Sequence, residues 1–139
     1  MSYRIEINEQ AGRVEVVVHR VCDPREIAED ESRLLKAAAQ ARADLGRLRL
    51  IIDSRQVGPL PNASVERLML LEEKLVTRDD DRIAVVVESS LAKVQLARFS
   101  KHKQVNRFVS PTAADTWLSA HDGHGYQAQA SVRAIGQRP

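Results

Sequence analysis

One segment constrains the fold more than any other. Leu48-Arg49-Leu50-Ile51-Ile52-Asp53 is a largely apolar run that ends in an acid. A loop with Gly58, Pro59 and Pro61 follows, and then a helix beginning near Asn62 to Ser64. A short apolar run of this kind predicts a strand covered on both faces, as in parallel sheets flanked by helices. In open sheets of that type, sites lie beyond the carboxyl ends of the strands, beside the next helix N-terminus. The segment therefore predicts an α/β architecture and the place of a site, without naming a ligand.

The rest of the chain fits the same plan. Tyr3 to Ile7 and Arg13 to Val18 alternate with period two around the turn-rich Asn8-Glu9-Gln10-Ala11-Gly12, which predicts an N-terminal hairpin. Asp23-Pro24-Arg25-Glu26 is a capping-box variant with proline at the first helical position. It opens a helix over 24–45 with an apolar stripe of Ile27, Leu34, Ala38, Ala41 and Leu45, stopped by Gly46. A second helix over 63–77 carries Val65, Leu68, Leu71 and Leu75 on one face. Asp79-Asp80-Asp81 makes a charged turn, and Ile83 to Val87 is a second fully buried strand. Ser89 or Ser90 caps a third helix over 91–101, with a weak stripe of Val94 and Ala97. Val105 to Val109 is a short last strand, and Ser110-Pro111 opens a fourth helix with Ala114, Trp117, Leu118 and His121 on one face. The order ββαβαβαβα predicts a five-stranded mixed sheet with four helices packed on it, joined by right-handed crossovers. The domain is expected to span 1–121, with a flexible tail over 122–139.

Bulk properties narrow the class. The chain has 139 residues, enough for one core, and only 4% are aromatic, so that core must be aliphatic. A formal net charge of +2 gives no expectation of nucleic-acid binding, which needs a dense basic patch. The single cysteine, Cys22, excludes an intrachain disulfide and suits a reducing cytoplasm. Met1 to Glu6 lacks an apolar core segment, so no secretory signal is expected, and no run approaches the roughly 18 apolar residues of a membrane span.

The strand Leu50-Ile51-Ile52-Asp53, the loop to Asn62-Ala63-Ser64, and the segment Val105-Asn106-Arg107-Phe108-Val109-Ser110-Pro111-Thr112-Ala113-Ala114-Asp115-Thr116-Trp117-Leu118 resemble the STAS family. The likeness is greatest to its bacterial stand-alone, SpoIIAA-like branch, and extends distantly to Sec14-type lipid-binding domains. It covers about residues 3 to 121 and is one of pattern and order. It implies a non-enzymatic regulatory or protein-interaction module. Signalling members carry an Asp-Ser pair at the start of the second helix, where the serine is phosphorylated by a partner kinase. Here that stretch is Pro61-Asn62-Ala63-Ser64, so Asn62 stands near the phosphoacceptor's place and Ser64 is the candidate hydroxyl.

Each candidate residue has a functional and a structural interpretation. Asp53 either contacts a ligand or partner, or accepts the amides of its own turn. Asn62 and Ser64 either hold an anion at the helix N-terminus or cap it. Lys93, Arg98, Lys101, His102, Lys103 and Arg107 form the densest basic region. They serve an acidic partner, a lipid headgroup or a phosphate, or they are a solvated face favourable to the helix dipole. Phe99, with Leu96, lines a pocket under the third helix or fills the core. Cys22 is either an activated thiolate or an apolar staple against Ile27. His121-Asp122-Gly123-His124, in an expected loop, lacks a third metal ligand, and Asp79 to Asp81 lacks the spacing of a calcium loop. No metal and no cofactor is expected, nor a catalytic residue. The alternative to a regulatory module is a carrier of a small apolar ligand or lipid, with its cavity between the sheet and the 91–101 helix. A homodimer, paired through an open edge strand, suits either.

Overall fold

The computed structural model describes residues 3–20, 24–58, 60–98 and 100–126. The elements are β1 (Tyr3–Asn8), β2 (Arg13–Val18), α1 (Pro24–Leu45), β3 (Arg49–Asp53), α2 (Asn62–Leu75), β4 (Arg82–Val86), α3 (Ser90–Ala97), β5 (Val105–Phe108) and α4 (Pro111–Tyr126). Among the described residues they form a five-stranded sheet in the order β1-β2-β3-β4-β5. β1 runs antiparallel to β2, and every later pair is parallel. The fold class read from the sequence is the one observed. In particular β3 and β4 lie side by side in one direction, with Asp53 opposite Val86.

Local chemistry explains the boundaries. The hairpin turns where Asn8 Oδ1 accepts the Ala11 amide and Gly12 adopts a φ of 70°. Gly46, at φ 79°, ends α1 and donates to the Arg42 carbonyl. The second helix stops at Leu75, two residues short of expectation. Asp81, fully enclosed, explains this: its carboxylate accepts the Thr77 and Arg78 amides, each at 2.9 Å, and so takes them out of the helical ladder. The three aspartates are thus not one polar turn. Asp79 pairs with Lys103, Asp80 pairs with Arg78, and Asp81 is a buried hub that also binds Arg42. The fourth helix continues to Tyr126, so His121 to His124 lie in α4 rather than in a loop. Their side chains, the Cys22 and Asp23 expectations, and the chain from 127 fall outside the described residues.

Two layers cover the sheet. On one face Val14, Val16, Leu50, Ile83 and Val105 pack with Ile27, Leu34, Ala38 and Ala41 of α1 and Leu71 and Leu75 of α2. Glu31 ties these helices together by accepting from Arg67 at 2.9 Å and Lys74 at 2.6 Å. On the other face Ala84 and Val86 pack with Ala114 and Leu118 of α4, with Phe108 and Trp117 in ring contact at 5.6 Å. The amino ends of β3 and β4 are bound by arginines. Arg49 donates to the Asp80 carbonyl, Arg82 to the Asp79 and Asp81 carbonyls, and Arg78 to the Gly46 carbonyl.

Candidate functional site

The carboxyl ends of the strands are built differently. After β3 the chain turns where Ser54 donates through both its amide and its hydroxyl to the Val86 carbonyl, at 2.9 and 2.8 Å. Val57 tucks in, 6% exposed, and Gly58 takes a φ of 79° to let the loop turn toward α2. After β4, Ser89 caps α3 by accepting the Ala92 amide at 3.1 Å, as its position predicted. α3 ends at Ala97, earlier than expected. No residue of α3 is buried; Leu91 is 67% and Val94 56% exposed, and Leu96 is half-buried. The third helix therefore lies over the sheet without packing tightly into it.

Beneath it is a cavity of about 690 Å³. Its walls are the sheet face (Val16, Ile52, Val85), α2 (Val65, Leu68, Met69), the 54–62 loop (Val57, Leu60) and α3 (Leu91, Ala92, Leu96). The volume falls in the range of about 300–1,000 Å³ typical of small-molecule sites. Exposed Asn62, Glu88 and Arg98 stand at its margin.

The cavity wall has one polar corner. Arg107 projects from β5 on the same face as buried Val105 and is itself only 4% exposed. Its Nη2 donates to Glu72 Oε2 of α2, while its Nε is enclosed with no acceptor among the described residues. Ser100 Oγ donates to Glu72 Oε1 at 3.4 Å. His102 lies in the same neighbourhood, and its Nε2 is likewise enclosed without a partner among the described residues. Burial pushes the Glu72 carboxyl above the usual carboxylate range, outweighing the opposite pull of Arg107, Ser100 and His102.

The residues singled out from the sequence separate. Asp53 follows Ile51 toward the α4 face and does not line the cavity. Its carboxylate accepts the Arg55 amide and is gripped by the Arg55 guanidinium at 2.9 and 2.7 Å, which holds it below its ordinary pKa. That is the turn-capping role. Asn62 and Ser64 do not cap α2: Pro61 holds that position, without a side-chain cap. Asn62 is exposed beside the cavity, whereas Ser64 is fully buried, so a kinase reaches its hydroxyl only if the first turn of α2 opens. Lys101 is exposed and is not part of the cavity wall. Phe99 lies outside the described residues. Arg107 does not belong to a solvated basic face but to the interior. Glu72 was missed. The signal for it was present, since it stands four residues after Leu68, between Leu71 and Leu75.

Among the described residues no cluster of His, Cys, Asp and Glu suits a metal ion, and no helix is long and apolar enough to cross a membrane. No protein-family model matches the sequence, and no curated protein does. The architecture is nonetheless of a recognised class, the SpoIIAA-like α/β fold. A crystal structure with that fold, of an uncharacterized DUF3478-family protein from Shewanella loihica PV-4, is similar to this chain at a TM-score of 0.57 and 16% identity. The match covers 84% of this chain and 93% of that one.

Proposed function

We propose that this chain is a non-enzymatic STAS-like module that binds a small, largely apolar molecule between the sheet, α2 and α3. One observation carries the proposal: a cavity of about 690 Å³ with mainly aliphatic walls, under a helix that buries none of its own residues. Aliphatic walls left in water are unfavourable, and an apolar guest relieves this without demanding hydrogen bonds. The loosely held α3 gives such a guest a way in. The regulatory role implied by the family resemblance fits the same place. We place the contact with a protein partner on loop 54–62 and the start of α2, which also border the cavity, so an occupied and an empty cavity present different surfaces to that partner. The outer edge of β1 is open in the single chain and is the proposed seam of a homodimer.

Native mass spectrometry of freshly purified protein tests the ligand, with melting curves across a panel of alkyl compounds. A ligand at a hundred times its dissociation constant adds about 2.7 kcal/mol, which for a domain of this size raises Tm by roughly 10 °C. Ala92→Trp places an indole in the cavity and is expected to abolish that rise while leaving a cooperative melt. A clean apo mass, together with no rise for any compound, refutes the proposal.

A further inference from the structure

The polar corner specifies the head of the guest, given the ligand-binding function proposed above. Most of the wall is aliphatic and asks nothing of a ligand except an alkyl body. The corner is different. Arg107 is nearly enclosed, its guanidinium is shared with one carboxylate, and its Nε–H has no acceptor among the described residues. An enclosed donor without an acceptor is costly, and a charged one more so. The planar fork of a guanidinium is matched by the two oxygens of a carboxylate. We propose that the cavity takes an alkyl carboxylate, whose head displaces Glu72 as the acceptor on the Arg107 guanidinium.

Three features of the corner favour this head over others. A hydroxyl offers a single oxygen and leaves the fork half used. An ammonium meets Arg107, with Arg98 at the margin and His102 alongside Glu72. Of these three heads, only a carboxylate replaces like with like. The displaced Glu72 faces Arg107 from β5 and Ser100 and His102 from the segment after α3, with Glu88 and Arg98 also on the cavity wall. In an enclosed corner a second carboxylate beside the same guanidinium pushes the pKa of one of the two upward. Burial already favours the protonated form of Glu72, so it is the one that takes the proton. Binding is therefore accompanied by uptake of a proton, and the neutral carboxyl of Glu72 becomes a donor to the incoming head.

The test is calorimetry on the full chain with decanoate, 1-decanol and decylamine, near pH 7, in two buffers of different ionisation enthalpy. The expected result is decanoate binding at least about tenfold tighter than 1-decanol. Decanoate binding is expected to take up about one proton, while 1-decanol binding takes up none. Glu72→Gln is expected to keep decanoate binding and abolish the proton uptake. Arg107→Gln is expected to bring decanoate and 1-decanol to equal affinity. If that variant does not fold, the head-group series and Glu72→Gln decide the matter. Equal or tighter binding of 1-decanol or decylamine to the wild-type chain overturns the head assignment and leaves the apolar-ligand function standing. Tight decanoate binding without proton uptake overturns the displacement of Glu72. Failure of all three compounds to bind removes this inference, and the function falls only if the wider panel and the native mass also come out empty.

Discussion

Replacing Asp81 with alanine tests the account of how the end of the sheet opposite the cavity is held. The Asp81 carboxylate is 0% exposed and accepts four hydrogen bonds: from Arg42 Nη2 at 2.9 Å, Arg42 Nε at 3.3 Å, and the amides of Thr77 and Arg78 at 2.9 Å. Removing it leaves the Arg42 side chain, 16% exposed, with the Leu75 carbonyl at 2.6 Å as its remaining partner among the described residues. Breaking a buried pair by deleting one partner costs about 3–5 kcal/mol. The retained carbonyl and the partial exposure of Arg42 place this case at about 3 kcal/mol, since the uncompensated charge still reaches some water. That is a large share of the roughly 5–15 kcal/mol that stabilises a typical domain, and it lowers Tm by roughly 10 °C. Asp81→Asn keeps a carbonyl acceptor for the turn amides and is expected to lose about half as much. Urea unfolding is the assay: the midpoint should fall with the slope unchanged, because the surface exposed on unfolding is the same. Asp79→Ala is the control. Its pair with Lys103 is 83% and 73% exposed on the two sides, so the change should stay within about 0.5 kcal/mol. A loss below about 1 kcal/mol for Asp81→Ala would refute the hub, since even one orphaned buried group costs that much.

Other outcomes follow from the site. The folded-state pKa of Asp53 is depressed by Arg55, so its contribution is present above the unfolded carboxylate value and is lost as pH falls through the depressed one. Arg55→Gln should flatten the acid limb of a plot of urea midpoint against pH. Glu72 has the opposite sign: its raised pKa stabilises the fold below the ordinary carboxylate range, and that contribution fades as pH rises through the raised value. Glu72→Gln should therefore remove a decline in midpoint on the alkaline side of about pH 4.5. Arg107→Met alone strands a buried carboxylate and should cost about 3 kcal/mol, whereas Glu72→Met with Arg107→Met should recover most of it, measured as a double-mutant cycle. Ser89→Ala removes the cap of α3 and should cost that helix about 1 kcal/mol. The expected sign is faster amide exchange confined to α3, with the global midpoint nearly unchanged.

The architecture was legible because its signals are apolar and local. Ile51, Ile52, Val85 and Val86 announce central parallel strands by composition alone, though only Val86 of the four is fully buried, because Ile52 and Val85 line the cavity; the α1 stripe from Ile27 to Ala41 is buried as its spacing demands. The site was legible only in outline, because pairing across the sequence decides it. Asp53 was placed correctly at the end of its strand, but strand alternation sends it away from the cavity that Ile52 lines. Arg107 sits among lysines and so suggests a charged surface, yet its alternation with Val105 points it inward, toward an acid 35 positions earlier. In Asp79-Asp80-Asp81 three identical letters meet three environments, and only contacts from Arg42, Thr77 and Arg78 distinguish the last. The weak stripe of the third helix was a true signal of poor packing, and the cavity beneath is its consequence.

The arginines that grip the turns at the amino ends of β3 and β4 have a consequence for how such a protein changes over time. Tolerance to substitution is then expected at the far end, where, among the described residues, α3 is held chiefly by its Ser89 cap and buries none of its side chains. Under the proposed function, the preference for one guest over another is open to drift or redesign by rewriting α3 and the loop after β3, while the clamped end keeps the scaffold intact.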